Sequence, residues 1–329
     1  MVGVDDETGG SAEQQFYDVA GRWATDQRYG PVELINAACR ALVDGLDSPS
    51  LRELAGASVD ESFHDLRQLL GAALDELHLP EPGTVLTGYT VGAGGLLPRP
   101  ATDTLRLKVT STPVEASVGF QVQVYVNDVE VTSAGAGLGM DPYDLLVPTN
   151  RLIAVNEPRT VPIARCKCGE YGCGSTDVTL VRDGERVHWD WSKEVPMCRG
   201  VSFAADVYDA EVARLAADHS WETPDRAAGR LIMARLDGER LQSAGLQVSW
   251  VANYHRNPEL FRIALQIDDA YQVFVDTPWR GRSAEDLAHE VCQTLDGPPY
   301  GWRASWHAIK RGVPEPPAIA GPSWHRYRP

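Results

Sequence analysis

The spacing of apolar residues changes near residue 83, and this change limits the fold more than any other feature of the chain. Before residue 83 the apolar residues recur every three or four positions, as Ile35, Ala38 and Leu42 do, which is typical of an amphipathic helix. From Val118 to Val126 they alternate with polar residues, which is typical of a strand with one buried face. The sequence therefore predicts an α+β fold in which a helical region precedes a β-rich region.

Residues 1–82 are predicted to form an N-terminal helical bundle of four helices. Ser11 is suited to cap the first helix, and Pro31 is suited to the first position of the second. Ser58 and Glu61 have the spacing of a capping box, so the fourth helix is expected to start there.

Acidic residues outnumber basic residues along the fourth predicted helix and in the whole chain. Between Val59 and His78 five acidic side chains stand against Arg67 alone, and the chain has a net charge of −16. A helix that reads DNA would be repelled from the groove by this charge. We therefore expect no nucleic-acid partner, and the charge favours solubility or a basic protein partner.

Residues 83–215 are predicted to form a mainly antiparallel β domain. Asn127-Asp128 and Asp183-Gly184 are two-residue turns between apolar runs, so each predicts a hairpin. In the second hairpin this turn places Leu180 opposite Val187. The strands are expected at Val85–Val91, Leu105–Val109, Val118–Val126, Val129–Val131, Leu152–Val155, Val161–Arg165, Val178–Arg182 and Glu185–Trp191.

Residues 216–312 alternate between helical and strand patterns in the order α-β-β-β-α-β, which predicts a C-terminal sandwich of helices on one sheet. Residues 313–329 are rich in proline and are predicted to be an extended tail. Aromatic residues are enriched in the centres of protein interfaces. Three tryptophans near the C-terminus are therefore a candidate partner surface: Trp302, Trp306 and Trp324.

Three cysteines lie close together among glycines that allow a tight turn: Cys166, Cys168 and Cys173. Thiolates are strong zinc ligands, and a closed zinc site takes four nitrogen or sulfur ligands. The sequence predicts a structural zinc site in which Cys198 is the fourth ligand. In the predicted hairpin register His188 lies opposite Thr179, about 20 Å along the strand from Cys173, which is too far for a shared metal ion.

Two other interpretations of the cysteine cluster remain open. The thiols can be inert in a glycine-rich turn, or they can form a thiol or open zinc centre of an enzyme. No H-E-x-x-H or H-x-E motif accompanies them, and Gly135–Gly139 lacks the G-K-[ST] of a phosphate-binding loop. The sequence therefore favours a structural metal site without catalytic residues.

The sequence carries no sign of a membrane segment or of a secretory signal. No run of about 18 apolar residues occurs. The first ten residues are acidic and lack the basic and apolar segments of a signal peptide, so we expect a cytoplasmic protein without a membrane partner. In a reducing compartment, clustered cysteines favour metal binding over disulfides.

Motifs in all three regions resemble modules that recur in uncharacterised multi-module cytosolic proteins of high-GC Gram-positive bacteria. The stretches that carry the resemblance are Gly45-Leu-Asp-Ser-Pro-Ser-Leu-Arg-Glu-Leu-Ala-Gly56, Cys166-x-Cys168-Gly-x-x-Gly-Cys173-Gly, Gly245-Leu-Gln-Val-Ser-Trp250 and Tyr271-Gln-Val-Phe-Val-x-x-Pro-Trp279. The resemblance implies a bacterial cytosolic setting and supports the three-module division. It brings no known activity and no catalytic residues.

These observations predict a non-enzymatic cytosolic protein that zinc stabilises and that acts through protein–protein recognition. One alternative is an enzyme with an open, cysteine-ligated zinc or thiol centre. Another is an immunity or defence protein that covers a basic target, which only the net charge of −16 suggests.

Overall fold

The computed structural model describes residues 11–25, 29–81, 88–113, 119–168, 173–197, 200–310 and 315–327. Its helices and mostly antiparallel sheets confirm the predicted α+β class. The chain forms two compact units. One comprises Met1–Lys108, Thr112–Met140 and Leu152–Val212, and the other comprises Val109–Ser111, Asp141–Arg151 and Ala213–Pro329. The predicted division into three modules and a tail stays a prediction.

The N-terminal region contains four helices, as predicted: α1 Ala12–Thr25, α2 Pro31–Val43, α3 Pro49–Ala55 and α4 Phe63–Glu76. The predicted start of α4 was wrong. Ser58 accepts a hydrogen bond from the Asp60 N–H, two residues on, which makes a local turn and not a helix cap. The cap is Ser62, whose hydroxyl accepts from the Asp65 N–H at 3.1 Å.

The four helices bury one apolar core. Phe16, Trp23, Leu34 and Leu70 are each at most 4 % exposed, so burial of their apolar area stabilises the bundle. A two-stranded hairpin follows, with β1 at Tyr89–Gly92 and β2 at Gly95–Pro98. The end of the predicted strand Val85–Val91 belongs to it, and residues 82–87 lie outside the described part of the chain.

The next elements are β3 Leu105–Ser111, β4 Phe120–Val126, β5 Val129–Glu130, α5 Val131–Ala134, β6 Gly137–Gly139 and α6 Pro142–Leu146. Asn127 and Asp128 both have positive φ, as a type I′ turn requires, which confirms the first hairpin. Its return strand is shorter than predicted, because Val131 already begins α5. Val118 lies outside the described residues.

A five-stranded antiparallel sheet lies within the first unit. Besides β6, the sheet contains β7 Arg159–Cys166, β8 Ser175–Asp183, β9 Arg186–Lys193 and β10 Val201–Ala204. Helix α7, Ala205–Ala217, follows the last strand. The strand order is β10-β9-β8-β7-β6. Residues 152–155 are not the predicted strand. Two carbonyls of this segment accept hydrogen bonds from side chains instead of from a neighbouring strand. The Tyr208 hydroxyl donates to the Leu152 carbonyl, and Arg182 donates to the Ala154 carbonyl.

The predicted register of the β8–β9 hairpin was wrong by two residues. The turn is Gly184-Glu185, and Leu180 lies opposite Trp189 instead of Val187. A type I′ turn over Asp183-Gly184 would need positive φ at both residues, but only Gly184 has it, at 56°. The turn starts at the glycine because glycine accepts positive φ at the first central position most readily.

The C-terminal region confirms the predicted α-β-β-β-α-β sandwich and adds a short α-helix, a 3-10 turn at Pro299–Gly301 and a short strand. Its elements are α8 Pro224–Arg235, α9 Gly238–Ser243, β11 Leu246–Tyr254, β12 Asn257–Ile267, β13 Tyr271–Pro278, α10 Ala284–Asp296, β14 Ser305–Ala308 and β15 His325–Arg326. The sheet order is β11-β12-β13-β14-β15, and only the last pair is parallel. Helices α8 and α10 contribute apolar side chains to one core with alternate residues of the sheet.

The three C-terminal tryptophans belong to this core and do not form the surface that the sequence suggested. Trp302, Trp306 and Trp324 are 2, 5 and 9 % exposed. Trp324 stacks on Trp302 with ring centroids 6.4 Å apart, and its indole N–H donates to the Pro299 carbonyl at 3.0 Å. The segment after the proline-rich stretch is therefore packed onto the domain.

We predict that Trp324→Ala destabilises the protein by about 3 kcal/mol, because it removes a large buried side chain and leaves a cavity. Urea unfolding followed by fluorescence measures the change. The control is Tyr300→Ala, an aromatic residue that is 65 % exposed, which should change stability by less than about 0.5 kcal/mol. Equal effects of the two substitutions would contradict the burial of Trp324 in the C-terminal core.

Candidate metal centre

Three thiols meet where strands β7 and β8 join. Cys166 is the last residue of β7, and Cys173 comes two residues before β8. The Cys166 N–H donates to the Gly174 carbonyl at 3.0 Å, which holds the two ends of the turn together. As a result, the sulfur atoms of Cys166, Cys168 and Cys173 all lie within 4.8 Å of one another. This separation is short enough for one ion to contact all three sulfurs.

The thiols hydrogen-bond to one another, and these bonds shift the pKa values of Cys166 and Cys173 in opposite directions. The Cys168 main chain and the thiols of Cys168 and Cys173 donate to Cys166, which lowers its pKa. The hydrogen bonds of the Cys173 thiol to Cys166 and Cys168 raise its own pKa to about 11. Cys168 and Cys173 are exposed and Cys166 is half-buried, so an ion can reach the cluster from solvent.

A buried threonine joins the segments around the cluster. Thr176 is fully buried, and its hydroxyl accepts from the Ala136 N–H at 2.8 Å and donates to the Glu194 carbonyl at 3.2 Å. Gly135 must lack a side chain, because a Cβ there would collide with the Thr176 hydroxyl. One hydroxyl therefore links β8 to the segment before β6 and to the segment after β9.

The segment after β9 begins beside the cluster. The Glu194 carboxylate lies against Gly174, the neighbour of Cys173, and Glu194 has a φ of 35° in the left-handed region. Cys198 follows four residues later, and four residues span at most about 14 Å. Cys198 itself lies outside the described residues, so its assignment as the fourth ligand stays a prediction.

His188 is held in another part of the sheet. It lies opposite Val181 and not Thr179, so the true register moves it further along the strands from Cys173. Its Nδ1 is 2.6 Å from the Ser202 hydroxyl, and the ring is only 2 % exposed. Burial, followed by the charge of Arg99, lowers its pKa. This environment suits a neutral structural imidazole.

The sequence did not reveal Thr176 and Glu194 as parts of this site. Neither residue belongs to a spacing pattern with the cysteines, because β8 and the end of β9 meet only in the folded sheet. In the described part of the chain, the cysteine trio is the one group of at least three histidine, cysteine or acidic residues with ligand atoms close enough to share an ion.

A groove between α1 and α2 is a weaker candidate for a binding site. It holds about 140 Å³, whereas pockets for drug-sized ligands usually hold about 300–1,000 Å³. Phe16 and Ala37 contribute apolar lining, and Asp18, Arg22 and Arg40 supply charges. Burial raises the pKa of Asp18. The groove is smaller than most ligand pockets.

Comparisons with protein-family models, with curated proteins and with solved structures find no match to this chain. The resemblance to bacterial multi-module proteins therefore stays a prediction. None of the described helices combines the length and the apolar character needed to cross a membrane.

We predict that His188 makes the stability of the protein depend on pH. Its folded-state pKa is lower than the ordinary value of about 6.5, so the unfolded chain binds its proton more readily. Its contribution is complete above about pH 6.5 and decreases as the pH falls below that value. The unfolding free energy should fall more steeply between pH 7 and pH 5.5 in the wild type than in His188→Gln.

Urea unfolding at several pH values measures the two slopes. The matched control is His64→Gln, because His64 is an exposed histidine of α4 and its replacement should leave the wild-type slope unchanged. Identical slopes for the wild type and His188→Gln would refute the buried, neutral imidazole.

Proposed function

We propose that the chain is a non-enzymatic cytoplasmic protein, that one cysteine-bound zinc ion stabilises it, and that it acts by binding protein. The observation that supports the metal is the convergence of three sulfur atoms within 4.8 Å of one another. Zinc fits this donor set because thiolates bind it strongly and because it takes four ligands in a tetrahedral arrangement. The proposed ligands are Cys166, Cys168, Cys173 and Cys198.

The position of the cluster supports a structural role. It lies at the junction of β7 and β8, and Thr176 ties the same junction to two further segments. An ion there would add a cross-link between the end of β7 and the start of β8, and its binding free energy would add to folding stability. The net charge of −16 favours a basic surface on the protein partner.

The position of Glu194 supports a second candidate, an enzyme with an open zinc centre. The Glu194 carboxylate lies against the residue that follows Cys173. A catalytic zinc keeps one position for water, and a nearby carboxylate can take the proton of that water. In this alternative Cys198 is not a ligand, so the two candidates differ in the number of cysteines that bind the ion.

We predict that the purified protein holds about one zinc ion per chain, and that Cys168→Ser or Cys198→Ser lowers both the zinc content and the melting temperature. Elemental analysis by mass spectrometry and thermal unfolding measure these quantities. The matched control is Cys39→Ser, which changes an exposed cysteine in α2 and should alter neither.

Zinc loss in Cys168→Ser but not in Cys198→Ser would favour the open site. A wild-type protein that neither contains zinc nor binds added zinc would refute both candidates.

A further inference from the structure

Strand β11 forms an outer edge of the C-terminal sheet and carries no charged residue over its nine positions, Leu246–Tyr254. Among the described residues, its main-chain hydrogen bonds run only to β12 on its inner side. Proteins usually protect such edges with lysine, proline, a bulge or a covering segment. Here the pairing with β12 is irregular only next to Ser249 and at Tyr254. From Trp250 to Tyr254 the outer side of β11 has no main-chain partner among the described residues, so this stretch can pair with another strand.

This stretch, Trp250-Val-Ala-Asn-Tyr254, is complementary to a second copy of itself. In an antiparallel pair with a two-fold axis at Ala252, Trp250 of one copy lies opposite Tyr254 of the other, on both sides of the axis. Cross-strand aromatic pairs stabilise a sheet, and like charges directly opposite each other destabilise it. A strand without charges avoids the repulsion that a two-fold axis otherwise creates between identical residues.

The aromatic side chains of this edge are already held in place by their own sheet. The Trp250 ring lies 6.2 Å from the Phe274 ring, and Trp250 is 41 % exposed. The Tyr254 ring covers the Arg262 guanidinium at 3.7 Å. Two hydrogen bonds from Arg262 to Asp276, at 2.7 and 2.8 Å, fix that guanidinium and neutralise its charge. Side chains that are ordered before binding lose little entropy on association.

The opposite face of the sheet is occupied by the domain's own helices. Phe261, Ile263 and Leu265 of β12 belong to the apolar core that α8 and α10 share. Arg262 and Phe274 lie on the other face with the exposed Trp250. A second copy can therefore continue the sheet at β11 without displacing the helices of its partner.

We propose that β11 pairs antiparallel with β11 of a second copy about a two-fold axis at Ala252, which joins two five-stranded sheets into one. The second copy is the occupant because it supplies an uncharged strand with an aromatic residue at each end, so that each Trp250 meets a Tyr254. This inference goes beyond the proposed function, whose protein partner carries a basic surface, and it does not depend on the metal. The net charge of −16 on each copy opposes association, so added salt should strengthen it.

The test is the molar mass of the full chain in solution, measured by light scattering after size exclusion at low salt and at about 0.3 M NaCl. We expect twice the chain mass of 35.9 kDa, with more dimer at the higher salt. Ala252→Asp places two carboxylates opposite each other at the axis and should give a monomer. The control Gln272→Asp adds the same charge to β13, in the interior of the sheet, and should stay dimeric.

A cross-linking variant tests the register and covers the case in which Ala252→Asp does not fold. In a Cys39→Ser background, which removes an exposed cysteine, Ala252→Cys should form a covalent dimer when diamide oxidises the two thiols at the axis, and Gln272→Cys in the same background should form far less. A monomeric wild type at both salt concentrations overturns the proposal, as does a dimer that persists in folded Ala252→Asp or an absent cross-link. The zinc content of the same samples is a separate test, so a zinc-loaded monomer would refute the dimer alone.

Discussion

The hydrogen bond from the Cys166 N–H to the Gly174 carbonyl is the contact on which the candidate site depends. It closes the connection between β7 and β8, so that Cys166 and Cys173 become neighbours although six residues separate them. The sulfur atoms then converge without help from a distant part of the sequence. The fold thus places three soft ligands at one end of a sheet whose strands are otherwise joined by main-chain hydrogen bonds and apolar packing.

The surroundings of the cluster explain why an ion there would act on stability. Thr176 satisfies two main-chain groups from different segments with one buried hydroxyl, and buried hydroxyl groups are stabilising only when their partners are in place. Glu194 brings a carboxylate beside the thiols. Several groups that can carry negative charge in one small volume repel one another, and a divalent cation relieves that repulsion. The proposed zinc would therefore be strongly linked to folding.

Much of the fold could be predicted from local patterns, and the errors have physical causes. Pro31 marks the start of a helix because its fixed φ suits the first helical position and its missing N–H would have no partner there. The β8–β9 register failed because Gly184 was assigned to the second turn position, although it occupies the first. Strands β6 and β15 were missed because short strands depend on their neighbours in the sheet and carry little pattern of their own.

The candidate site was only partly predictable for the same reason. The trio of cysteines is close in sequence, so its convergence follows from a short turn. Thr176 and Glu194 meet through the register of two strands, which no spacing rule contains. The buried setting of His188 likewise depends on Ser202 in β10, a strand that the sequence did not indicate.

The proposed function depends on cysteine sulfurs that hold a zinc ion at the junction of β7 and β8. X-ray absorption at the zinc edge, recorded on the full-length wild-type chain as purified, tests it most directly. We expect a coordination shell of about four sulfur atoms at about 2.3 Å. A shell made mainly of nitrogen and oxygen atoms at about 2.0–2.2 Å, or a protein without zinc, would contradict it.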